Sequence, residues 1–208
     1  MIVEYYGIPG SGKTYLANLY KEQLKQEGKK FIDISRHSGM PLWLKTFYKF
    51  ADYIILILPK YRWQISAYIE VCKDSIKEPD FLPLSKQYCI RDIVIYSLVY
   101  DVFSHLNRIT LNDEGQLHRV LFLSVQFRVP LEYLMPVYQT FRHEGSCRYV
   151  KTTSGKAIQN IKHRNRKVCE MDEMKEEVLR DYIKAFEGVC CKMESLNHEF
   201  VDIIMNNK

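Results

Sequence analysis

Residues 2–6, Ile-Val-Glu-Tyr-Tyr, open the chain as a short β-prone run. Between residues 15 and 25 the composition turns helical, with Tyr15, Leu16, Leu19 and Tyr20 on one side. Glu27-Gly28 reads as a helix stop, with Gly28 near the position after the cap, and residues 31–34, Phe-Ile-Asp-Ile, predict a second strand. Strand, helix and strand form a βαβ unit, which implies a parallel sheet with a right-handed crossover. Residues 41–107 then hold helical spacing through 43–58, 63–76 and 90–106, with turns around Pro59 and from Pro79 to Pro83. Ser85 is placed to cap the last of these helices. A third strand is predicted over 108–112 and a fourth over 147–151, followed by Thr152-Thr153-Ser154 as the cap of a helix running to about Arg164. Asp172-Glu173 begins a long amphipathic helix whose apolar stripe is Met174, Val178, Tyr182, Phe186, Val189 and Met193. Its acidic start complements the helix dipole. Residues 200–204 predict a last strand.

The pattern describes one α/β domain over residues 1–208 with a helical insertion at about 41–107, and 208 residues are enough for a sizeable core. A net charge of +5 suits phosphate binding, yet it is too small and dispersed to announce a nucleic-acid protein by itself. The six cysteines include no Cys-x-x-Cys pair and read as reduced thiols. The apolar run 53–58 is far too short to span a bilayer, and the chain enters a strand with no room for a targeting segment. These features lead to the expectation of a cytoplasmic protein with no membrane partner.

The strongest chemical signal is the octet Gly7-Ile8-Pro9-Gly10-Ser11-Gly12-Lys13-Thr14, a complete P-loop set between a predicted strand and a predicted helix. Glycines let the backbone curl around phosphates, so that successive N–H groups and the positive end of the helix face the anion. Gly7, Pro9, Gly10, Ser11, Gly12, Lys13, Thr14 and Tyr15 are therefore expected to hold a nucleoside triphosphate. Within that set, Lys13 reaches the β- and γ-phosphates and the Thr14 hydroxyl ligates Mg²⁺.

Asp113-Glu114 at the end of the third strand is the second signal. Asp113 fits the aspartate that holds the Mg²⁺ shell, and Glu114 could align or deprotonate the attacking group. The third signal is charge: Arg142, Arg148, Lys151, Lys156, Lys162, Arg164, Arg166 and Lys167 fall in one segment against the single acid Glu144. Such a strip could track a nucleic-acid backbone. Alternatively, Arg164 and Arg166 sit on a lid that brings guanidiniums onto transferring phosphates, a bidentate task that suits arginine.

A Gly-x-Pro-Gly-Ser-Gly-Lys-Thr loop, a strand ending in an acidic pair, and then strand, helix and Arg-x-Arg before a long acidic-start helix resemble the P-loop kinases of small metabolites, in particular the thymidylate kinase and adenylate kinase group. The resemblance covers roughly residues 1–36 and 107–205. It implies a three-layer α/β/α fold around a five-stranded parallel sheet of order 2-3-1-4-5, with ATP and Mg²⁺ as donor. It also implies that Lys13, Arg164 and Arg166 act on the transferring phosphoryl group and that Asp33 and Arg36 lie where the acceptor is held. Thymidylate kinases carry an Asp-Arg pair after the third strand, whereas this chain has Asp113-Glu114-Gly115, with Arg119 beyond it as a further substrate-binding candidate.

The absence of an Asn-Lys-x-Asp motif argues against a GTPase, and the absence of a Leu-Ser-Gly-Gly-Gln signature argues against a transporter ATPase. The favoured expectation is a kinase moving the ATP γ-phosphoryl group to a small intracellular acceptor such as a nucleoside or nucleotide. The alternatives are an ATPase switch or motor component meeting nucleic acid or a protein partner, a less favoured choice, and a nucleotide-binding protein without useful turnover.

Overall fold

A computed structural model describes residues 1–36, 40–163, 170–196 and 201–205. Five parallel strands form one sheet: β1 (Ile2–Tyr6), β2 (Phe31–Asp33), β3 (Ile109–Asn112), β4 (Gly145–Lys151) and β5 (Val201–Met205). Their order is β2-β3-β1-β4-β5, the expected topology. Glu4 of β1 stands opposite Asn112 of β3 and Cys147 of β4. The C-terminal ends of the three central strands therefore open on one edge, where ligands of open α/β sheets bind.

Eight α-helices occur among the described residues. The first is α1 (Lys13–Gln26), ended by a Schellman motif in which Lys29 N–H reaches Leu24 C=O at 2.9 Å and Gly28 N–H reaches Lys25 C=O at 3.1 Å. Between β2 and β3 come α2 (Leu42–Ile57), α3 (Pro59–Val71) and α4 (Lys86–Ser104), the last capped by the Ser85 hydroxyl accepting from Tyr88 N–H. Then follow α5 (Gln116–Phe127), α6 (Leu131–Phe141), α7 (Ser154–His163) and α8 (Glu176–Ser195). No described helix is long and apolar enough to cross a membrane.

The strands sort their side chains by alternation. Val3 and Tyr5 of β1 join Ala17 and Leu24 of α1 in a small cluster on one face. Ile2 and Tyr6 face the larger cluster, built with α4, α5, α6 and α8. All five β1 residues are buried, as a central parallel strand requires, and Glu4 alone among them carries a charged side chain.

Three local expectations change. Helices α5 and α6 occupy 116–127 and 131–141, which the sequence pattern did not resolve: α5 is buried on nearly every side, and α6 carries Pro136 inside it. Helix α8 starts at Glu176, after a 3-10 turn at Glu170–Glu173, so Glu176 and Glu177 are its first-turn acids. Its buried stripe is Leu179, Tyr182, Ile183, Phe186, Cys190 and Met193, while Val178 is 39% exposed. Helix α4, inside the expected insertion, is a core element packed on α5.

Candidate phosphate-transfer site

Between β1 and α1 the chain turns through Gly7 and Gly10, with φ of 145° and 81°. A Cβ at Gly7 would stand 2.6 Å from Val150 O, and one at Gly10 would stand 2.4 Å from Ala157 O. Glycine is thus required twice, for backbone conformation and for close approach. Helix α7 holds the loop from the other side, because Asn160 Nδ2 donates to Gly10 O at 2.9 Å.

Lys13 is 4% exposed, and its ammonium donates to Gly7 O at 3.2 Å and Ile8 O at 3.1 Å. Thr14 Oγ1 donates to Asp113 Oδ2 at 2.7 Å, across the parallel β1–β3 pair. Asp113 N–H is in turn held by Ser35 Oγ at 3.0 Å. Burial and the neighbouring Glu114 charge raise the Asp113 carboxyl above its ordinary value, against the pull of Thr14, Ser35 and Lys13. The structure therefore brings together Lys13, Thr14, Asp113 and Glu114, all four expected at the donor site.

Glu114 Oε1 lies 3.5 Å from Lys13 Nζ, and its other oxygen lies 3.6 Å from Arg119. Desolvation pushes Glu114 up, but the positive charges packed around it override that and hold the carboxyl below its ordinary value. Burial and the Lys13 charge push His118 down to about 3, so at neutral pH its imidazole is uncharged. Lys13 and Arg119 are therefore the cations that hold Glu114 ionised. His118 stacks on Phe186 at 5.2 Å between centroids.

Arg119 continues the chain of charges away from the loop. Its Nε lies 3.3 Å from Asp92 Oδ2, and Asp92 Oδ1 pairs with Arg36. The Arg36 guanidinium stacks over Tyr48 at 4.2 Å and Tyr96 at 4.9 Å. A cavity of about 640 Å³ opens here between α2 and α4, lined by Arg36, Tyr48, Tyr88 and Asp92 among others. A smaller chamber of about 210 Å³ shares Arg36, Tyr88 and Asp92 and adds Arg119. Arg36 and Arg119 thus converge on one carboxylate beside the phosphate loop.

Asp33 is placed otherwise. It pairs with Lys21 of α1 at 2.5 Å, accepts Ser35 N–H at 3.0 Å and lines neither chamber. Tyr15 lies 44% exposed in the first turn of α1. Arg164 and Arg166 lie outside the described residues. In the basic segment, Arg148 stacks on Tyr20 at 3.9 Å, Lys151 meets Glu194 at 2.9 Å and Lys162 pairs with Glu176. These three cations are each engaged within the chain.

Sequence reasoning missed Asp92, Tyr48, Tyr96, Ser35 and Asn160. Asp92 was the detectable one, as an acid set in a helix segment that buries Cys89, Ile90, Ile93 and Val94 around it. The others carry no local signal, since each works through a partner far along the chain.

No family model and no curated protein matches this sequence. The backbone is similar to that of deoxyadenosine kinase from M. mycoides. With bound dATP that kinase superposes with a TM-score of 0.52 at 15% identity, covering 99% of this chain and 90% of that one. With the products dCMP and a flexible dCDP it superposes with a TM-score of 0.53 at 16% identity, covering 98% and 90%. The likeness shows that this chain shares the α/β fold of that protein.

Proposed function

We propose that the chain is a kinase that transfers the ATP γ-phosphoryl group to a small acceptor, of the nucleoside or nucleotide class. The carrying observation is the unbroken line of charged groups from the phosphate loop to a neighbouring recess: Lys13, Glu114, Arg119, Asp92 and Arg36. A hydrolase needs only the loop end of that line; a built, aromatic and charged chamber beside it supplies a place for an acceptor. The similar backbone belongs to a deoxyadenosine kinase, which favours a nucleoside-like acceptor.

The loop amides and Lys13 bind the β- and γ-phosphates. The Thr14 hydroxyl and Asp113 carboxylate are hard oxygen donors already in contact, and they suit Mg²⁺, which takes one or two protein oxygens and completes its shell with phosphate and water. The metal supplies neutralisation of developing phosphate charge.

Glu114, kept ionised beside Lys13 and Arg119, accepts a hydrogen bond from the acceptor hydroxyl and orients it. Phosphoryl transfer depends mostly on positioning and electrostatics, so orientation is enough. Arg36 and Arg119 hold the acceptor. Asp33 acts indirectly, by fixing Ser35, which receives the Asp113 N–H. Arg164 and Arg166, placed by sequence alone, neutralise the transferring group.

The test follows the γ-phosphate of labelled ATP with Mg²⁺, with and without a pool of nucleosides, nucleotides and sugars. Label moving to a small molecule only with the pool is the expected result. Free phosphate released regardless of the pool would replace the kinase with an ATPase.

A further inference from the structure

Glu4 is 3% exposed in the middle of a strand buried on both faces. Burying a carboxylate there is costly, and an apolar side chain would fill the same space without that cost. Its partners explain its presence. Tyr100 OH donates to Oε2 at 2.7 Å; Tyr138 OH and Cys147 Sγ donate to Oε1, both at 3.0 Å. Leu117 N–H, in the first turn of α5, also points at Oε1 at 3.4 Å. Gly115, the cap residue of α5, offers no side chain, so Glu4 supplies the negative charge that a helix N-terminus favours.

One branch of this network runs to the phosphate site. Tyr100 OH, while donating to Glu4, accepts Asn112 Nδ2 at 3.1 Å. That fixes the Asn112 amide, whose Oδ1 accepts Glu114 N–H at 3.2 Å. Gly115 packs so closely that a Cβ there would stand 1.9 Å from Glu4 Oε2. The carboxylate on β1, three residues before the phosphate loop, therefore sets the height of the turn that carries Asp113 and Glu114. The other branch runs to Tyr138 and Cys147, on α6 and β4, which also meet each other at 3.4 Å.

Resting on the kinase reading, we infer that Glu4 is a positioning residue, which acts through Tyr100 and Asn112 to hold the Asp113–Glu114 turn against the phosphate loop.

The two tyrosines supply matched controls. Each is 2% exposed, each gives one hydroxyl to the same carboxylate, and Phe fills either place. Hydrogen exchange at the Glu114 amide, kcat, and the Kd for ATP are measured in Tyr100→Phe, Tyr138→Phe, Glu4→Gln and the wild type. Tyr100→Phe and Glu4→Gln are expected to speed Glu114 exchange and to lower kcat roughly tenfold, since small misplacements of reacting groups are costly. ATP affinity stays within about threefold, because the loop amides and Lys13 are untouched. Tyr138→Phe leaves exchange and kcat near wild type. Equal effects from the two tyrosine variants, or a Glu114 amide unmoved by Tyr100→Phe, would overturn the inference. Exchange reads the turn without turnover, so a wild type that transfers no phosphoryl group sinks the kinase reading alone. If Glu4→Gln fails to fold, the tyrosine pair still decides the matter.

Discussion

Replacing Asp92 by Asn leaves two guanidiniums facing each other without their shared carboxylate. Asp92 is 7% exposed and contacts both Arg36 and Arg119. At an effective dielectric of 20, each contact near 4 Å amounts to about 4 kcal/mol of Coulomb energy before desolvation is subtracted. Removing one partner from a fully buried pair costs about 3–5 kcal/mol. Here the Arg36 and Arg119 side chains are 25% and 23% exposed, so water recovers part of the loss. The expected net cost is about 2–3 kcal/mol, allowing for that screening. For a chain of this size that lowers Tm by roughly 4–12 °C. Scanning calorimetry of Asp92→Asn beside Glu22→Gln makes the comparison, because the Glu22–Lys25 pair is 63% and 59% exposed and should contribute almost nothing. Sulfate should restore stability to Asp92→Asn more than to the wild type, since the freed guanidiniums then have an anion to bind. An Asp92→Asn protein that melts with the wild type would refute the coupled cluster, and with it the charged recess on which the acceptor site rests.

Lys13→Ala is expected to reduce turnover by at least about a hundredfold while leaving the fold intact, measured as steady-state transfer and far-UV circular dichroism. Thr14→Val, which keeps shape and removes the hydroxyl bonded to Asp113, should raise the Mg²⁺ concentration needed for half-maximal rate severalfold; an unchanged Mg²⁺ titration would remove Thr14 from the metal shell. Acid sensitivity should begin below pH 6.5. His118 binds its proton near 6.5 when unfolded and near 3 when folded, so stability present above 6.5 is lost as pH falls toward 3. The loss runs at up to about 1.4 kcal/mol per pH unit. Burial lowers His143 as well, so His118→Gln should weaken this slope in urea titrations at pH 7.5, 6 and 5 without abolishing it. Glu114 adds to the same trend only below 4.5, as it falls through its unfolded value toward 2.

The donor side of the site was legible because its chemistry is local. Eight consecutive residues set the loop, and strand β3 delivers Asp113 and Glu114 directly beside it through parallel pairing with β1. Helix ends were legible for the same reason: Gly28 and Ser85 act on neighbours within five residues. Helix α5 escaped notice because burial on nearly every side leaves little polar face for periodicity to detect, whereas α6 buries a regular stripe of Leu131, Leu134, Met135 and Tyr138 but carries Pro136 as a misleading break. Glu176 rather than Asp172 opens α8, and no pattern of acids alone separates the two, since both fit a helix start.

The proposed acceptor side is assembled rather than spelled. Arg36 follows β2, Asp92 lies in α4 and Arg119 in α5, and only the packing of α4 on α5 beside the end of β2 brings them together. Arg36 and Arg119 were each nominated separately, one through the position after the second strand and one through its distance beyond Asp113-Glu114, but nothing in either segment announces Asp92. That division follows from the physics of the two tasks. A triphosphate is recognised by backbone N–H groups and a helix terminus, which a contiguous segment can present. A small acceptor must be enclosed, which takes side chains from several elements. Glu4 belongs to both halves. It precedes the loop on β1 and faces the N-terminus of the helix that carries His118 and Arg119, so one buried carboxylate ties the loop to the wall of the proposed acceptor site. Substitutions along Glu4, Tyr100 and Asn112 should therefore lower kcat with KM for ATP nearly constant, whereas substitutions at Arg36 or Asp92 should raise the acceptor KM first.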